Sequence, residues 1–293
     1  MIENSNLSLS IGIYEKAFPA TMDLEEKLVC ARDAGYSFME LSIDETDERI
    51  KRLKWDLTRK IILREISERI GIPFLTMCLS GNRRFPIGSS YEDIQKKGLD
   101  MIMDAIYFAS TTGVRIVQVA GYDVTADEKS TTQSREKFGI NLRKCVKLAS
   151  SLGVMLALEN VDCEFGDSLD KLMNYVKEIN SPWLQLYPDF GNLTAMGQDV
   201  KTELQAYSGH IAAIHVKDTK QGIVRHVPYG EGAVDFISAF GTLKSSGFKG
   251  PFLLEMWADS EKDNFEIIKS SRLWVVEKLK QVPYVSSSSA SRL

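Results

Sequence analysis

Short apolar runs rich in aliphatic residues alternate along the chain with longer segments whose apolar residues recur at helical spacing. This alternation is typical of repeated βα units, in which crossover helices join parallel strands. The predicted strands are Leu9–Ile13, Phe38–Ile43, Phe74–Leu79, Ile116–Ala120, Met155–Glu159, Leu184–Pro188, Ile211–Val216 and Phe252–Met256. A chain of 293 residues with eight such units predicts an α/β protein, a single (β/α)8 TIM barrel over residues 1–283.

The segments between the strands carry start and stop signals for helices. Helices are predicted to begin near Met22, Thr58, Tyr91, Gln133, Ser168, Val200, Asp235 and Asn264. Glycines follow several helical patterns and precede the next strand, as helix C-caps do; they are Gly35, Gly71, Gly113, Gly153 and Gly247. Residues 284–293, half of them serine, have no apolar periodicity and are expected to be a disordered tail or a cloning remnant.

Charge and composition exclude several classes of protein. Hydrophobic residues make up 44% of the chain and charged residues 26%, as in ordinary globular proteins. A net charge of −4 provides no basic field for nucleic acid. The chain has no apolar run long enough for a membrane helix and does not begin like a signal peptide, so a cytoplasmic protein is expected. Its 4 cysteines are widely separated, which favours reduced thiols in or near the core.

Polar residues recur where the last four predicted strands end. Reacting groups of a (β/α)8 barrel lie at that rim, because the βα loops converge there. The residues at these positions are Glu159, Asp189, His215 and Glu255. Large apolar residues such as Leu156 and Leu158 occupy the alternate positions and are expected to face the helices, so the four polar side chains are expected to face the barrel interior.

Buried charges are costly unless they are paired or coordinated, and no arginine is an obvious partner for these four. Three carboxylates and one imidazole therefore predict a site for one divalent metal ion, with Mn²⁺, Mg²⁺, Co²⁺ and Zn²⁺ all compatible. Glu159 and Glu255 come from well separated strands and are expected to approach a substrate from opposite sides. One would remove a proton beside a metal-bound ketose carbonyl and the other would return it to the opposite face, which gives an epimer.

Longer strings around the rim resemble a known enzyme family. They are IGIYEKAFP, ELSIDETDERIKRLKW, MCLSGNRRFPIGS, QVAGYDV, QLYPDFGNLTA, HVKDTKQGIVRHVPYGEGAVDF and LLEMW. Together they resemble the L-ribulose-5-phosphate (L-xylulose-5-phosphate) 3-epimerases of bacterial ascorbate and pentose catabolism, within the xylose isomerase-like barrels. The resemblance covers essentially the whole chain except its tail.

The resemblance implies a metal-dependent enzyme that interconverts L-xylulose 5-phosphate and L-ribulose 5-phosphate. It implies the same four metal ligands, Glu159, Asp189, His215 and Glu255, with Glu159 and Glu255 as the acid/base pair. Relatives that act on unphosphorylated ketoses often carry a histidine where this chain has Asn192, so their substrate contacts are not carried over at that position.

A sugar phosphate needs basic groups near the rim for its dianion. Lys217 shares the inward parity of His215 and is the first candidate. Arg83 and Arg84 come next, because a guanidinium group binds phosphate at two points. A solvated loop charge is the competing interpretation for each of them.

Three further residues are candidates for substrate contact. Glu40 is expected to face the barrel and to hydrogen-bond a substrate hydroxyl, and Trp257 is expected either to wall the sugar or to fill the barrel top. Glu231 lies between two glycines, where a tight turn is favoured over a role in the site.

Other functions stay open on sequence grounds. An aldose–ketose isomerase, or a 3-epimerase of another ketose, fits the same barrel. Lys217 is compatible with the isomerase, since such enzymes often use a catalytic lysine. A multinuclear DNA-repair hydrolase like endonuclease IV is disfavoured by only 3 histidines and the acidic net charge. A non-catalytic sugar-binding barrel also remains. Barrels of this kind often associate, so a homo-oligomer is an open expectation.

Overall fold

The computed structural model describes residues 10–259 and 263–282. Leu9 of the first predicted strand and the predicted tail at 284–293 lie outside the described residues. The strands are β1 (Ile11–Tyr14), β2 (Phe38–Ser42), β3 (Phe74–Cys78), β4 (Ile116–Ala120), β5 (Met155–Glu159), β6 (Leu184–Leu186), β7 (Ile214–Val216), β8 (Asp218–Lys220), β9 (Ile223–Val227) and β10 (Phe252–Leu254).

The helices follow the strands in the predicted alternation. They are α1 (Leu24–Asp33), α2 (Asp47–Lys51), α3 (Leu57–Ile70), α4 (Glu92–Thr112), α5 (Thr132–Ser151), α6 (Leu169–Ile179), α7 (Phe190–Ala195), α8 (Val200–Ala206), α9 (Phe236–Ser245) and α10 (Asn264–Gln281). Asp56 and Ser168 cap α3 and α6 by accepting hydrogen bonds from backbone N–H groups. Gly71 and Gly113 end α3 and α4 at φ values of +80° and +88°, as predicted for helix C-caps.

Eight parallel strands form one curled sheet in the order β6-β5-β4-β3-β2-β1-β10-β7. Bridges from Leu186 to Ile211 and from Asp189 to His215 connect its two ends. The sheet therefore closes as the predicted TIM barrel, in which β5, β6, β7 and β10 are four consecutive strands.

Side chains alternate between the two faces of the barrel wall, as the strand period requires. Leu156, Leu158 and the other apolar residues of that parity pack with the helices in the main core. Smaller clusters, such as the one of Tyr14, Phe38 and Leu253, fill the interior. A Cβ at Gly12 would lie 2.3 Å from the Phe38 ring, so this glycine leaves room for the interior aromatic group.

Sequence reasoning missed two short helices and one β-hairpin. No helix was predicted at α2 or at α7. The antiparallel pair β8 and β9 forms a hairpin beyond the end of β7, with Gly222 at its turn at φ +76°. No helix of the described residues has the length and apolar character needed to cross a membrane.

Candidate active site

Four polar side chains converge at the carboxyl ends of neighbouring barrel strands. Glu159 ends β5, Asp189 caps α7 just after β6, His215 lies in β7 and Glu255 follows β10. One ligand atom from each of them lies within 4.8 Å of those from the other three. All four residues are buried, and the structure brings together the side chains that strand parity assigned to the interior.

His215 is held on both ring nitrogens. Its Nδ1 lies 2.6 Å from Glu159 Oε1, and its Nε2 lies 2.8 Å from Glu40 Oε1. The Tyr187 ring packs edge-on against the imidazole, with a centroid separation of 4.5 Å. Burial opposes a charged imidazole, but Glu40 and Glu159 outweigh it and raise the pKa of His215 well above its ordinary value.

Glu40 lies deeper in the barrel than the rim residues. It sits in the middle of β2, in register with Tyr14 of β1 and Thr76 of β3. Its Oε2 accepts hydrogen bonds from the hydroxyls of Thr76 at 2.7 Å and Tyr187 at 2.9 Å. The side chain is fully buried and does not line the cavity described below.

Glu159 is oriented by a neighbouring amide that sequence reasoning missed. Gln118 on β4 donates from Nε2 to Glu159 Oε2, and its own Oε1 accepts from the Leu79 N–H at 2.9 Å. Because Gln118 is anchored to the backbone, it fixes one oxygen of Glu159. The sequence did offer a signal for this contact, because Gln118 has inward parity on β4, the strand next to β5.

Asp189 is fixed by the loop that follows β5. Its N–H donates to Asn160 Oδ1 at 2.8 Å, and its Oδ1 accepts from the Asn192 N–H at 3.0 Å. The Asn192 side-chain amide donates to the Asn160 carbonyl at 2.9 Å. The other carboxylate oxygen, Asp189 Oδ2, is left pointing into the cluster.

Lys217 lies within the cluster and not at the cavity mouth. Its Nζ is 2.6 Å from Asp189 Oδ2 and 2.8 Å from Glu255 Oε2, and it donates to Asn192 Oδ1 at 2.9 Å. Burial raises the pKa of Asp189 to about 7 despite the lowering effect of Lys217. Burial also opposes the charge on Glu255, but Lys217 and His215 lower its pKa to about 2. The cluster therefore contains a cation that the sequence did not reveal as a partner.

Two buried oxygens of the cluster lack a conventional hydrogen bond. Asp189 Oδ2 and Glu255 Oε2 are buried and, although Lys217 is close, neither receives a well-directed hydrogen bond. Buried carboxylate oxygens without such partners are rare, because they lose the hydration of the charge. The donor set of three carboxylates and one imidazole suits a divalent cation.

A polar cavity of about 620 Å³, counted with its open mouth, lies above the cluster. Glu159, Glu255 and Lys217 line its base. Its upper wall is charged and carries Lys16, Asp44, Glu45, Arg83, Asp162 and Arg225. Arg225 belongs to the β8–β9 hairpin, so the hairpin forms part of the wall. These dimensions suit a small, polar substrate better than an apolar one.

The two adjacent arginines have different environments. Arg83 lines the cavity, stacks over the Tyr122 ring at 4.7 Å and lies 3.5 Å from Glu45. Arg84 points away and pairs with Asp47 at 2.6 Å. Only the first of the pair therefore faces the candidate substrate site.

Trp257 lines the cavity and packs edge-on against Tyr14 at 6.2 Å. Glu231 is exposed in the turn that follows the hairpin and does not line the cavity. That turn is organised by Asp218, whose Oδ2 accepts from the N–H groups of Gly230 and Gly232. A Cβ at Gly232 would lie 1.9 Å from Asp218 Oδ1, so the glycine is needed for this close approach.

The chain matches a known family over most of its length. Residues 29–278 match the family described as xylose isomerase-like TIM barrel. An Escherichia coli protein named L-ribulose-5-phosphate 3-epimerase UlaE is 42% identical over 280 residues, which cover 96% of this chain and 98% of the relative.

Solved structures share the fold at low sequence identity. The structure of an L-ribulose 3-epimerase has a TM-score of 0.77 and 19% identity, covering 94% of this chain and 95% of that one. The IolI protein with a bound zinc atom has a TM-score of 0.77 and 18% identity, covering 94% of this chain and 100% of that one.

Proposed function

Because the chain belongs to the xylose isomerase-like TIM barrels and, within them, to the L-ribulose-5-phosphate 3-epimerases, we propose that it interconverts L-ribulose 5-phosphate and L-xylulose 5-phosphate. Family membership makes it an isomerase of the carbohydrate 3-epimerase type. The observation that supports the reaction best is the position of Glu159 and Glu255. They come from β5 and β10, the first and last of the four strands that carry the cluster, and both lie at the base of a polar cavity.

One divalent metal ion, of Mn, Mg, Co or Zn, is proposed to be held by Glu159, Asp189, His215 and Glu255. When bound, such an ion polarises a ketose carbonyl and makes the C–H bond next to it more acidic. The donor set supports this assignment, as do the two buried oxygens, Asp189 Oδ2 and Glu255 Oε2, that lack a well-directed hydrogen bond.

Glu159 and Glu255 are proposed to move the proton at C3. One carboxylate takes the C3 proton while the C–H electron pair shifts toward the C2 carbonyl to give the enediolate. The other group, which starts as the carboxylic acid, delivers its proton to the opposite face of C3 as the C2 carbonyl re-forms. The reverse reaction exchanges their roles, so no oxidant or reductant is needed. Gln118 contacts Glu159 and Lys217 contacts Glu255, so each carboxylate is oriented by a different neighbour.

Lys217 is proposed to act at the reacting end of the substrate. The residue is 5% exposed, and its ammonium group contacts two carboxylates of the cluster, where a phosphate dianion would meet negative charge. A cation at this place stabilises negative charge that develops on the substrate oxygens during proton removal. This position argues against the direct phosphate contact expected from sequence.

The phosphate group is proposed to bind at the cavity mouth. Arg83 and Arg225, with Lys16, supply positive charge there, at a distance from the acidic cluster. Trp257 is proposed to wall the sugar between the two ends. Arg84 and Glu231 face away from the cavity, so we assign them structural roles in their loops.

The test is proton NMR of L-ribulose 5-phosphate in D₂O with the enzyme, with and without a chelator. Loss of the C3 proton signal with formation of L-xylulose 5-phosphate, and its arrest by the chelator, is the expected result. Exchange at C1 instead would favour an aldose–ketose isomerase, for which the position of Lys217 beside the acidic cluster is the specific observation. Absence of exchange at either carbon with metal bound would reject this substrate.

A further inference from the structure

Glu40 has no role in the reaction described above, yet it is a fully buried carboxylate at the centre of the barrel. Its partners are the Thr76 and Tyr187 hydroxyls and the His215 imidazole. Within residues 10–259 and 263–282, no lysine or arginine forms an ion pair with it. By contrast, the buried Glu15 contacts Lys27, Arg49 and Arg52.

A buried carboxylate is retained at a cost unless something balances its charge. Of the three partners of Glu40, His215 is the one that can bring positive charge, either as a protonated ring or through a cation bound at its other nitrogen, since the two hydroxyls are neutral donors. Both hydroxyls point at Oε2, which leaves Oε1 for the imidazole alone among these partners. The arrangement therefore fixes the direction and the hydrogen-bonding role of Glu40 Oε1.

We propose that Glu40 is a positioning residue that keeps the proton of His215 on Nε2 and so reserves the Nδ1 lone pair for the metal ion. In this structure Nδ1 lies 2.6 Å from Glu159 Oε1, another member of the cluster, and a metal ion bound between the two residues would replace that contact. A ligating histidine whose other nitrogen donates to a carboxylate is fixed in tautomer and orientation. The inference rests on the metal site of the proposed function. The sequence predicted that Glu40 would hydrogen-bond a substrate hydroxyl, and we now assign His215 as its partner.

Tyr187 supports the same arrangement twice. Its hydroxyl donates to Glu40, and its ring packs against the His215 imidazole. The Tyr187→Phe variant keeps the ring and removes only the hydroxyl, so it loosens Glu40 without opening a cavity. It therefore provides a mild variant if changes at Glu40 itself impair folding.

The first experiment is calorimetric titration of Zn²⁺ into the chelator-treated wild type and into Glu40→Gln, Glu40→Asp and Tyr187→Phe. Loss of an outer carboxylate partner weakens metal binding about 10- to 100-fold in comparable sites, and Glu40→Gln is expected in that range. Glu40→Asp retains the charge but shortens the side chain, so we expect an intermediate value. Tyr187→Phe is expected to have the smallest effect.

Glu203→Gln is the matched control, since Glu203 is a half-buried carboxylate that accepts the Leu169 N–H at the start of α6 and lies outside the cluster. It should bind Zn²⁺ like the wild type. Binding within twofold of the wild type by folded Glu40→Gln would overturn the role of Glu40 and leave the metal site standing. Failure of the wild type to bind any of the four metals would overturn the metal site and this inference with it.

A second measurement needs no variant of the site. The chain has 3 histidines, so nitrogen-15 NMR of the zinc-loaded wild type has few imidazole signals to assign. His215 should show Nδ1 bound to zinc and a protonated Nε2 with a downfield, slowly exchanging proton, as a hydrogen bond from Nε2 to the buried Glu40 carboxylate requires. Zinc on Nε2, or an Nε2 proton in fast exchange with water, would refute the proposal.

Discussion

Replacing Lys217 by methionine removes the ammonium group that the structure places among the cluster carboxylates. Methionine has a similar length and no charge, so the change is chiefly electrostatic. The ammonium group lies 2.6 Å from Asp189 Oδ2 and 2.8 Å from Glu255 Oε2. We expect the metal-free variant to be clearly less stable than the metal-free wild type, because two buried carboxylates lose their counterion.

The size of the effect follows from these distances. At an effective dielectric constant of about 20, each contact is worth about 6 kcal/mol before the desolvation of Lys217 is subtracted. Removal of one partner from a buried ion pair costs about 3–5 kcal/mol net. With an unfolding entropy of about 2.1 cal/mol/K per residue, this corresponds to a Tm lower by about 5–8 °C for 293 residues.

The loss should depend on pH. The pKa of Asp189 is raised to about 7, so its protonated form is favoured in the folded state. A raised carboxyl pKa adds stability at low pH, and this contribution is lost as the pH rises through the folded pKa. Without Lys217 the pKa of Asp189 rises further, so the variant should lose more stability above pH 7 than below it.

Thermal unfolding with chelator and with excess Mn²⁺ measures both effects. Because the ammonium group and a metal ion compete for the same oxygens, Mn²⁺ should raise the Tm of Lys217→Met more than that of the wild type. Lys220→Met, an exposed lysine on the same stretch, is the control and should leave both values unchanged. A chelated Lys217→Met variant that unfolds at the wild-type temperature would refute this account of the cluster.

Three further predictions concern the reaction and the loops around it. Glu159→Gln and Glu255→Gln should each lower kcat by at least about 100-fold, since each variant lacks one of the two proton-transfer groups. Exchange of the C3 proton in D₂O measures this loss. Normal turnover by either variant would reject the two-carboxylate reaction. Arg83→Ala should raise KM for the phosphorylated ketose far more than for the unphosphorylated one, while Arg84→Ala should change neither, and equal behaviour of the two variants would remove the phosphate assignment. Glu128 accepts hydrogen bonds from Ser89, Ser90 and Thr125, which, against burial, lower its pKa to about 2. Its stabilisation is therefore present above pH 4.5 and lost as the pH falls toward 2, so Glu128→Gln should flatten the acid limb of the Tm–pH curve, and an unchanged limb would contradict this.

The alternation of strand and helix patterns was enough to predict the barrel, because βα units that repeat eight times have one common way to bury both faces of a parallel sheet. Strand parity was enough to assign Glu159, Asp189, His215 and Glu255 to the interior, and their position at strand ends placed them at one rim. Both arguments need only local periodicity. The comparisons then confirmed the family that the rim motifs resemble.

The conformations of the loops around the site were harder to predict, because they depend on local turn geometry and on the register between strands. Short segments such as α2 and the β8–β9 hairpin have too few residues for a periodic signal. Arg83 and Arg84 are adjacent in sequence, yet only one of them faces the cavity, because the 3₁₀ turn at Ser80–Arg83 directs their side chains differently.

The sequence by itself determined which residue types face the barrel interior, since inward and outward positions alternate along every strand. Only the tertiary structure decided how deep each one lies, because depth depends on the register between strands that are far apart in sequence. Register places Glu40 beneath the rim, against His215, and brings Lys217 among the carboxylates. The chemical role of a charged side chain in this barrel thus depends on partners that long-range pairing supplies.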